Sequence, residues 1–487
     1  MLVLPLHPAN NASPEALMAF LRQCRDAAVR DGHAKLVSIS LAVDALDPLA
    51  VLESIFEPHE PHFYAERPAS GTAVAGAEVA VAFEAHGPTR FAEVQRWVTE
   101  ILQHTVAVGD VTAPFGGPHF FAGFAFHDEV EAGEPFPAAY AFVPRWQVAL
   151  AGTTTTAVAN LWVTADADLG ALALRVWRAH QKFTRFEYQD SEDGGLGSGG
   201  MPSARGAPPR EEGTPPTWTR SETGDYRASV ARALDRIAAG DFKKIVLARA
   251  QELTADRPLH PLRMLNGLRQ RFPDCYAFSF TRGRGPSFIG ASPERLVRVS
   301  KGRLETEALA GSIRRGAGAS EDAALAGTLL RSEKDLREHR EVLDDIVARL
   351  APLGIRPEYP AQPQIRRLAN VQHLDTPVNA TLPEHVSLLD VIGAMHPTPA
   401  VGGTPREAAV SRIRELEGFP RGLYAGALGW LNARGGGEFF VGIRSALVEG
   451  AQARVYAGAG IVAGSTPEKE FAETELKFKA ILDALVT

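Results

Sequence analysis

The chain reads as a mixed body, α+β or α/β, in which both halves contribute strands and helices. Three observations point there. Segments with apolar residues at helical spacing alternate along the chain with short period-two segments bounded by Gly and Pro. No internal repeat at solenoid or propeller periods is present. One seam rich in Gly, Ser and Pro, residues 189–216, separates residues 1–188 from residues 217–487.

In chain order, Leu17, Phe20, Leu21 and Cys24 predict a helix over 13–31, followed by a strand from Leu36. Val51-Leu52-Glu53-Ser54 reads as a helical turn. Residues 62–84 alternate strand-like segments with turns, and Phe91, Val94, Val98, Ile101 and Leu102 mark an amphipathic helix. Stretches 116–129 and 137–163 predict further strands, paired antiparallel. The seam cannot bury an apolar face, which predicts a flexible linker or loop. Beyond it, Tyr226, Val230, Leu234 and Ile237 predict a helix, KKIVLARAQEL a strand, and further helices fall at 260–271, 321–351 and 405–417. ARVYAGAGIV reads as a strand ending in small residues. Ser465-Thr466-Pro467 then starts a last helix, a hydroxyl cap followed by Pro at the first helical position. Its apolar arc comprises Phe471, Phe478, Ile481, Leu482 and Leu485.

Composition excludes several classes of function. With 487 residues, 45% hydrophobic and 22% charged, the chain is an ordinary globular one, and a net charge of −7 leaves no footprint for nucleic acid. Cys24 and Cys275 are the only cysteines and form no CxxC, so neither a disulfide framework nor a thiolate zinc site is expected. The opening MLVLPLHP is too poor in apolar residues for a signal peptide and no run of eighteen apolar residues occurs, so a soluble cytoplasmic protein without a membrane partner is expected. No GxSxG, P-loop or GxGxxG in a βαβ setting occurs, which counts against hydrolase, NTPase and dinucleotide-dependent chemistry.

Several residues could carry chemistry. Strand alternation puts Lys244, Val246 and Ala248 on one face and Ile245, Leu247 and Arg249 on the other, so one of Lys243 and Lys244 points inward. A lysine among apolar side chains with a cation such as Arg249 nearby loses its proton readily and is a usable base; a strand-edge lysine that blunts aggregation is the competing reading. Glu294, on the Ser292-Pro293 turn of FIGASPERLVRV, is a candidate acid or a solvated turn residue. In the helix over 330–350, Leu336, Leu343, Ile346 and Leu350 form the apolar stripe, with Asp335, Glu338, Val342 and Asp345 beside it. The last helix likewise carries Glu470, Glu473 and Lys477 along the edge of its apolar face. Glu338 and Glu473 could share one hard cation, or Glu473 and Lys477 could be a surface i,i+4 pair. Gly458 and Gly460 allow backbone N–H groups to approach a ligand. His373 and His396 lie in loop-like sequence without metal-ligand spacing, and Arg444 in the strand FFVGIRSALV is an anion clamp or a structural ion-pair member.

Taken together and in order, KIVLAR, GASPE, ALAGSIRRG, SEKDLREH, HPTPAVGG, GIRSA, YAGAGIVAGS and EFAETELK resemble the motifs of the chorismate-utilising enzymes, and of their isochorismate synthase branch in particular. The likeness is dense over residues 220–485, and FYAERP, RFAEVQ and GGPHFFAGFAF resemble the family's upstream region. It implies an α+β fold of two stacked antiparallel sheets flanked by helices, with both parts of the chain in one body. It also implies a reaction, in which water adds at C2 of chorismate and the C4 hydroxyl leaves, giving isochorismate with Mg²⁺ as cofactor, and menaquinone biosynthesis as the pathway.

By motif, the resemblance assigns Lys244 as general base, Glu294 as general acid, and Glu338 and Glu473 as Mg²⁺ ligands. Arg444, Lys477 and the backbone of Gly458 and Gly460 would hold the substrate carboxylates, with Gly311 beside the ring and His373 in contact with it. An exchange of this kind needs a base and an acid with pKa values pushed in opposite directions; lowering a lysine by ~3 units costs about 4 kcal/mol, which burial and cationic neighbours can supply. Anthranilate synthases carry glutamine where Lys244 stands, which argues for water over ammonia and for no amidotransferase subunit. Aminodeoxychorismate synthases differ at Leu309-Ala310-Gly311-Ser312 and at Val401-Gly402-Gly403-Thr404-Pro405. Salicylate synthases share the acid, base and metal ligands and are the nearest alternative, with a siderophore-pathway isochorismate synthase beside them; a non-catalytic chorismate-binding or regulatory protein is the alternative of another class. A monomer or homodimer is expected.

Overall fold

The pairing of Thr72–Ala85 with Ala139–Ala151, in register from Thr72↔Ala151 to Ala85↔Ala139, is the spine from which two sheets diverge. The computed structural model of the chain describes residues 1–4, 14–54, 60–184, 216–368 and 371–485. The linker expected over 189–216 lies outside the described residues save for its last position.

On one side of the spine the first sheet runs through Thr154–Val163, Lys35–Val43, Thr105–Gly109 and Leu2–Leu4. On the other it continues through Pro61–Arg67, Tyr276–Arg282, Ser287–Ser292, Ser445–Glu449, Gln452–Val462, Lys244–Ala255 and Trp218–Thr223. The second sheet leaves Ala139–Ala151 through His119–Phe124, Ala427–Asn432, Gly437–Val441, Arg295–Ser300, Arg303–Arg314, Val371–Thr381 and Gln364–Arg367. Pairing is antiparallel as expected, except that Thr105–Gly109 runs parallel to both its neighbours.

The sheets are stacked. Phe63 of the first sheet stacks on Phe121 of the second at 4.6 Å between ring centroids, and Phe278, Phe280, Phe142 and Phe439 fill the same layer. Alternation within strands then sends neighbours the other way: Tyr64 and Ala277 face a second core, closed by Leu49 and Leu52 of Pro48–Ser54, Leu262 and Leu265 of Pro261–Arg271, and Phe478 and Ile481 of Pro467–Leu485. Leu17, Leu21 and Cys24 of Pro14–Asp31 cover a third cluster with Val37, Ile39 and Leu161. Both cysteines are free and buried, and no helix among the described residues is long and apolar enough to cross a membrane.

Three local expectations are corrected. The helix expected over 321–351 is two, Ala319–Arg331 and Glu333–Leu350. Ser332 leaves helical backbone at ψ 107°, and its hydroxyl caps the second helix by accepting from Asp335 N. The buried stripe of that helix is His339, Val342, Leu343, Ile346 and Leu350, with Leu336 only half-buried. His373 lies within the strand Val371–Thr381 rather than a loop, opposite Ser312. Arg444 lies between Gly437–Val441 and Ser445–Glu449, at φ +51°, because the chain breaks its ladder there to turn.

Candidate active site

The strand Lys244–Ala255 pairs along its length with Gln452–Val462, placing Val246 opposite Gly460 and Ala248 opposite Gly458. Lys243 is exposed, so Lys244 is the inward lysine. Its side chain lies across Gly460: a Cβ there would stand 3.0 Å from Lys244 Cε and 3.7 Å from Nζ. A Cβ on Gly458 would stand 2.8 Å from Tyr424 Oη. The two glycines are thus inside the strand, where they make room for side chains, and do not form the terminal cradle that the sequence pattern suggested.

Burial lowers the Lys244 pKa, partly offset by Glu338, Glu341 and Glu294 and reinforced by Lys477. Lys477 is the neighbouring cation. Arg249 is instead buried on ion pairs with Glu222 at 2.5 Å and Glu475 at 2.8 Å, as the strand's alternation onto the opposite face requires. Lys244 itself makes no side-chain hydrogen bond or ion pair among the described residues.

Glu294 sits in the turn between Ser287–Ser292 and Arg295–Ser300, its backbone carbonyl accepting from Val441 N at 3.1 Å. The carboxyl is packed at the floor of the cleft, with Thr398 Oγ1 at 3.5 Å from Oε1. Burial and the Glu307 carboxylate push its pKa up to about 7, against the opposing pull of Lys244 and Thr398. Glu307 is held in turn by both Nη atoms of Arg366, at 2.6 and 2.8 Å.

The N-terminal halves of the helices Glu333–Leu350 and Pro467–Leu485 come together at this site, Lys334 of one acting on Glu470 of the other and Glu338 and Lys477 both acting on Lys244. Glu338 is 3.7 Å from Lys334, and Glu473 is 2.8 Å from Lys477, whose Nζ also donates to Gly458 O at 2.7 Å. The surface i,i+4 pair therefore exists, and one of its members is also tied to the strand beneath. Burial and Glu473 raise the Glu470 pKa, while Lys334 of the facing helix lowers it. Carboxylates thus outnumber cations between the helices, and hard oxygen donors of this kind suit Mg²⁺. Among the described residues no group of three or more His, Cys, Asp or Glu side chains is arranged to hold an ion, so two carboxylates here would leave most of a cation's shell to water and substrate oxygen.

On the far wall, Gly311 is the extra residue of a bulge at φ +79°, where a Cβ would meet Leu374 Cδ1 at 3.2 Å and Asp335 Cβ at 3.3 Å. His373 Nδ1 lies 2.7 Å from Ser312 Oγ while Nε2 is buried without a hydrogen-bond partner. Burial and the Arg444 and Lys477 cations push its pKa down to about 4, so the ring is neutral at neutral pH. Arg444 makes no side-chain hydrogen bond or ion pair among the described residues, leaving its guanidinium available to an anion.

Contacts and electrostatic interactions thus link the ten residues assigned by the resemblance into one group around Lys244, Lys477 and His373. His396 lies outside that group, buried edge-on to Phe91 and Phe126. Sequence reasoning missed Tyr424, Thr398 and Glu307. Glu470, read from the sequence as standing beside Glu473 on the helix edge, gains a role here; Glu307 enters through strand pairing, and Thr398 and Tyr424 through turns packed against the site.

Over residues 19–486 the chain matches the family described as chorismate binding enzymes. It is 36% identical over 458 residues to the salicylate biosynthesis isochorismate synthase of Pseudomonas aeruginosa, spanning 92% of this chain and 90% of that one. It is 31% identical over 473 residues to isochorismate synthase MenF of Bacillus subtilis, spanning 93% and 94%. Among solved structures it resembles MenF, the menaquinone-specific isochorismate synthase from Escherichia coli, with a TM-score of 0.75 at 26% identity over 96% of this chain and 100% of that one. A match over nearly the whole length, on a fold and cleft of the kind described above, places the chain in the chorismate-binding enzyme family.

Proposed function

We propose that the protein is an isochorismate synthase in which Lys244 is the general base and Glu294 the general acid. The observation that carries this reading is the opposed environment of the two groups in one cleft: burial drives the lysine toward neutrality and holds the carboxyl protonated up to about pH 7. Lys244 takes a proton from the water that adds at C2 of chorismate, the ring double bonds shift, and Glu294 gives its proton to the oxygen leaving C4. One water enters and one leaves, so the product is an isomer; Lys244 and Glu294 then exchange protons with solvent to reset. Arg444 and Lys477 hold the substrate carboxylates, and neutral His373 offers Nε2 to the bound molecule beside Gly311. Glu338 and Glu473 would hold Mg²⁺, whose chemistry when bound is to neutralise the ring carboxylate.

The likeness to two proteins named MenF supports a role in menaquinone formation; the Pseudomonas aeruginosa relative, named for salicylate biosynthesis, supports the competing supply of isochorismate to that route. Incubating the purified chain with chorismate and Mg²⁺ and separating the products tests the reading. Isochorismate alone is expected. Salicylate with pyruvate would move the assignment to salicylate synthase, and anthranilate formed only with ammonia would sink it. Lys244→Ala is expected to abolish turnover while chorismate still binds; normal turnover would put the base elsewhere.

A further inference from the structure

The outer edge of the strand that carries Lys244 has a gap. Gly403–Thr404 pairs with Lys244 and Ile245, and Trp218–Thr223 pairs with Ala250 to Ala255, so among the described residues no strand borders residues 246–249 on that edge. Buried backbone groups there need partners. Val246 N donates to Gly402 O at 3.0 Å, and two side chains supply further partners: Arg421 Nη2 donates to Val246 O at 2.7 Å, and Ala248 N donates to Glu417 Oε1 at 2.7 Å.

Glu417 and Arg421 are joined to each other at 2.5 Å, with side-chain exposures of 0% and 1%. The remaining arm of the guanidinium, Nη1, donates to Val401 O at 2.8 Å, and Phe126 lies under it at 4.2 Å from the ring centroid. Val401 belongs to the turn in which Val401 N and Gly402 N donate to Thr398 O at 3.1 and 2.9 Å, and it is Thr398 that meets Glu294. A continuous path therefore runs from the acid through Thr398, the turn and Arg421 to the strand of the base.

We infer that the Glu417–Arg421 pair is a positioning device that sets the separation of Lys244 and Glu294, an inference that rests on their roles in isochorismate formation. A fully buried ion pair is weak support for stability, since apolar replacements often serve as well. What an apolar pair could not do is hold two carbonyls and one amide of separate segments at fixed distances. The reaction depends on that, because misplacing a reacting group by about 1 Å can cost roughly 100-fold in rate.

The test compares the wild-type full chain with Arg421→Lys, Glu417→Gln and Arg421→Gly in kcat, KM for chorismate and urea midpoint, with Arg269→Lys as a control. Arg269 pairs with Asp47 and Glu66, away from the cleft. For folded Arg421→Lys and Glu417→Gln, kcat is expected to fall about tenfold or more with KM changed less than about threefold. Arg421→Gly is expected to fall about 100-fold and to regain part of its kcat in millimolar guanidinium, which leaves the wild type unaffected. Arg269→Lys is expected to lose stability at unchanged kcat. If the Arg421 and Glu417 variants behave like that control, the pair is structural only and the inference fails. Should Arg421→Gly not fold, the other two variants decide. A wild-type chain that makes no isochorismate overturns the functional reading and this inference together, whereas an active wild type with fully active variants overturns this inference alone.

Discussion

Replacing Glu294 with glutamine should abolish turnover and at the same time stabilise the protein above neutral pH. In the fold the carboxyl titrates at about 7 against an ordinary 4.5, through burial first and the Glu307 charge second. A folded pKa above the unfolded one means that the folded state keeps the proton longer. The stabilisation this proton binding provides is complete below pH 4.5 and is lost as pH rises to about 7. A gap of about 2.5 pH units corresponds to about 3 kcal/mol, an upper figure because the carboxyl is open to the cleft on one side. Glutamine has no proton to lose. Its advantage over the wild type should therefore be small at pH 4.5 and grow to at most about 3 kcal/mol at pH 8, read as urea unfolding free energies at both values. Equal or lower stability of Glu294→Gln at pH 8 relative to its standing at pH 4.5 would refute the raised pKa. The wild-type kcat should fall above about pH 7 for the same reason, since the acid must hold its proton to act.

Gly460→Ala would bring a methyl to 3.0 Å from Lys244 Cε, so the lysine must give by about 0.5 Å or more; kcat should drop on the order of tenfold to 100-fold while thermal unfolding shifts little, and an unchanged kcat would mean the lysine's position there is unimportant. Glu307→Gln removes the charge that helps keep Glu294 protonated and frees Arg366 beside it, so the alkaline limb of the kcat profile should move to lower pH; a limb that stays put would show that burial alone sets the acid. Chelator treatment should remove isochorismate formation, Mg²⁺ should restore it, and Glu338→Gln or Glu473→Gln should raise the Mg²⁺ concentration needed by roughly tenfold or more, whereas activity indifferent to chelator would remove the metal from the proposal.

What the sequence made legible was local. Helical spacing located Arg90–Gln103, Tyr226–Ala239 and, on the last helix, the buried Phe478, Ile481 and Leu482, because periodicity reports which face must leave water wherever the partner lies. The break at Ser332 is also written there, since Ser332 with Asp335 three residues on is a capping pattern. Arg249 was misplaced for a different reason. Alternation correctly sent it to the face opposite Lys244, yet its partners Glu222 and Glu475 belong to a neighbouring strand and the last helix, and no local rule pairs residues so distant in sequence.

The stretch AGAG shows how register gives a motif its meaning. Small residues before a helix suggested a cradle for an anion, a local interpretation of glycine. In the fold, the pairing of Lys244–Ala255 with Gln452–Val462 sets Gly460 opposite Val246 and Gly458 opposite Ala248, so each glycine stands beside a side chain that needs its space, Lys244 in one case and Tyr424 in the other. KIVLAR and AGAG are therefore two sides of one strand pair, and their joint presence is a geometric requirement of a long inward lysine. ALAGSIRRG and NVQHLD are coupled in the same way, by the bulge at Gly311 and the pairing of Ser312 with His373. The motifs that looked like separate signals along 260 or so residues are thus a few cross-strand contacts around one base and one acid, and it is in those contacts that substitutions should register as lost rate before lost stability.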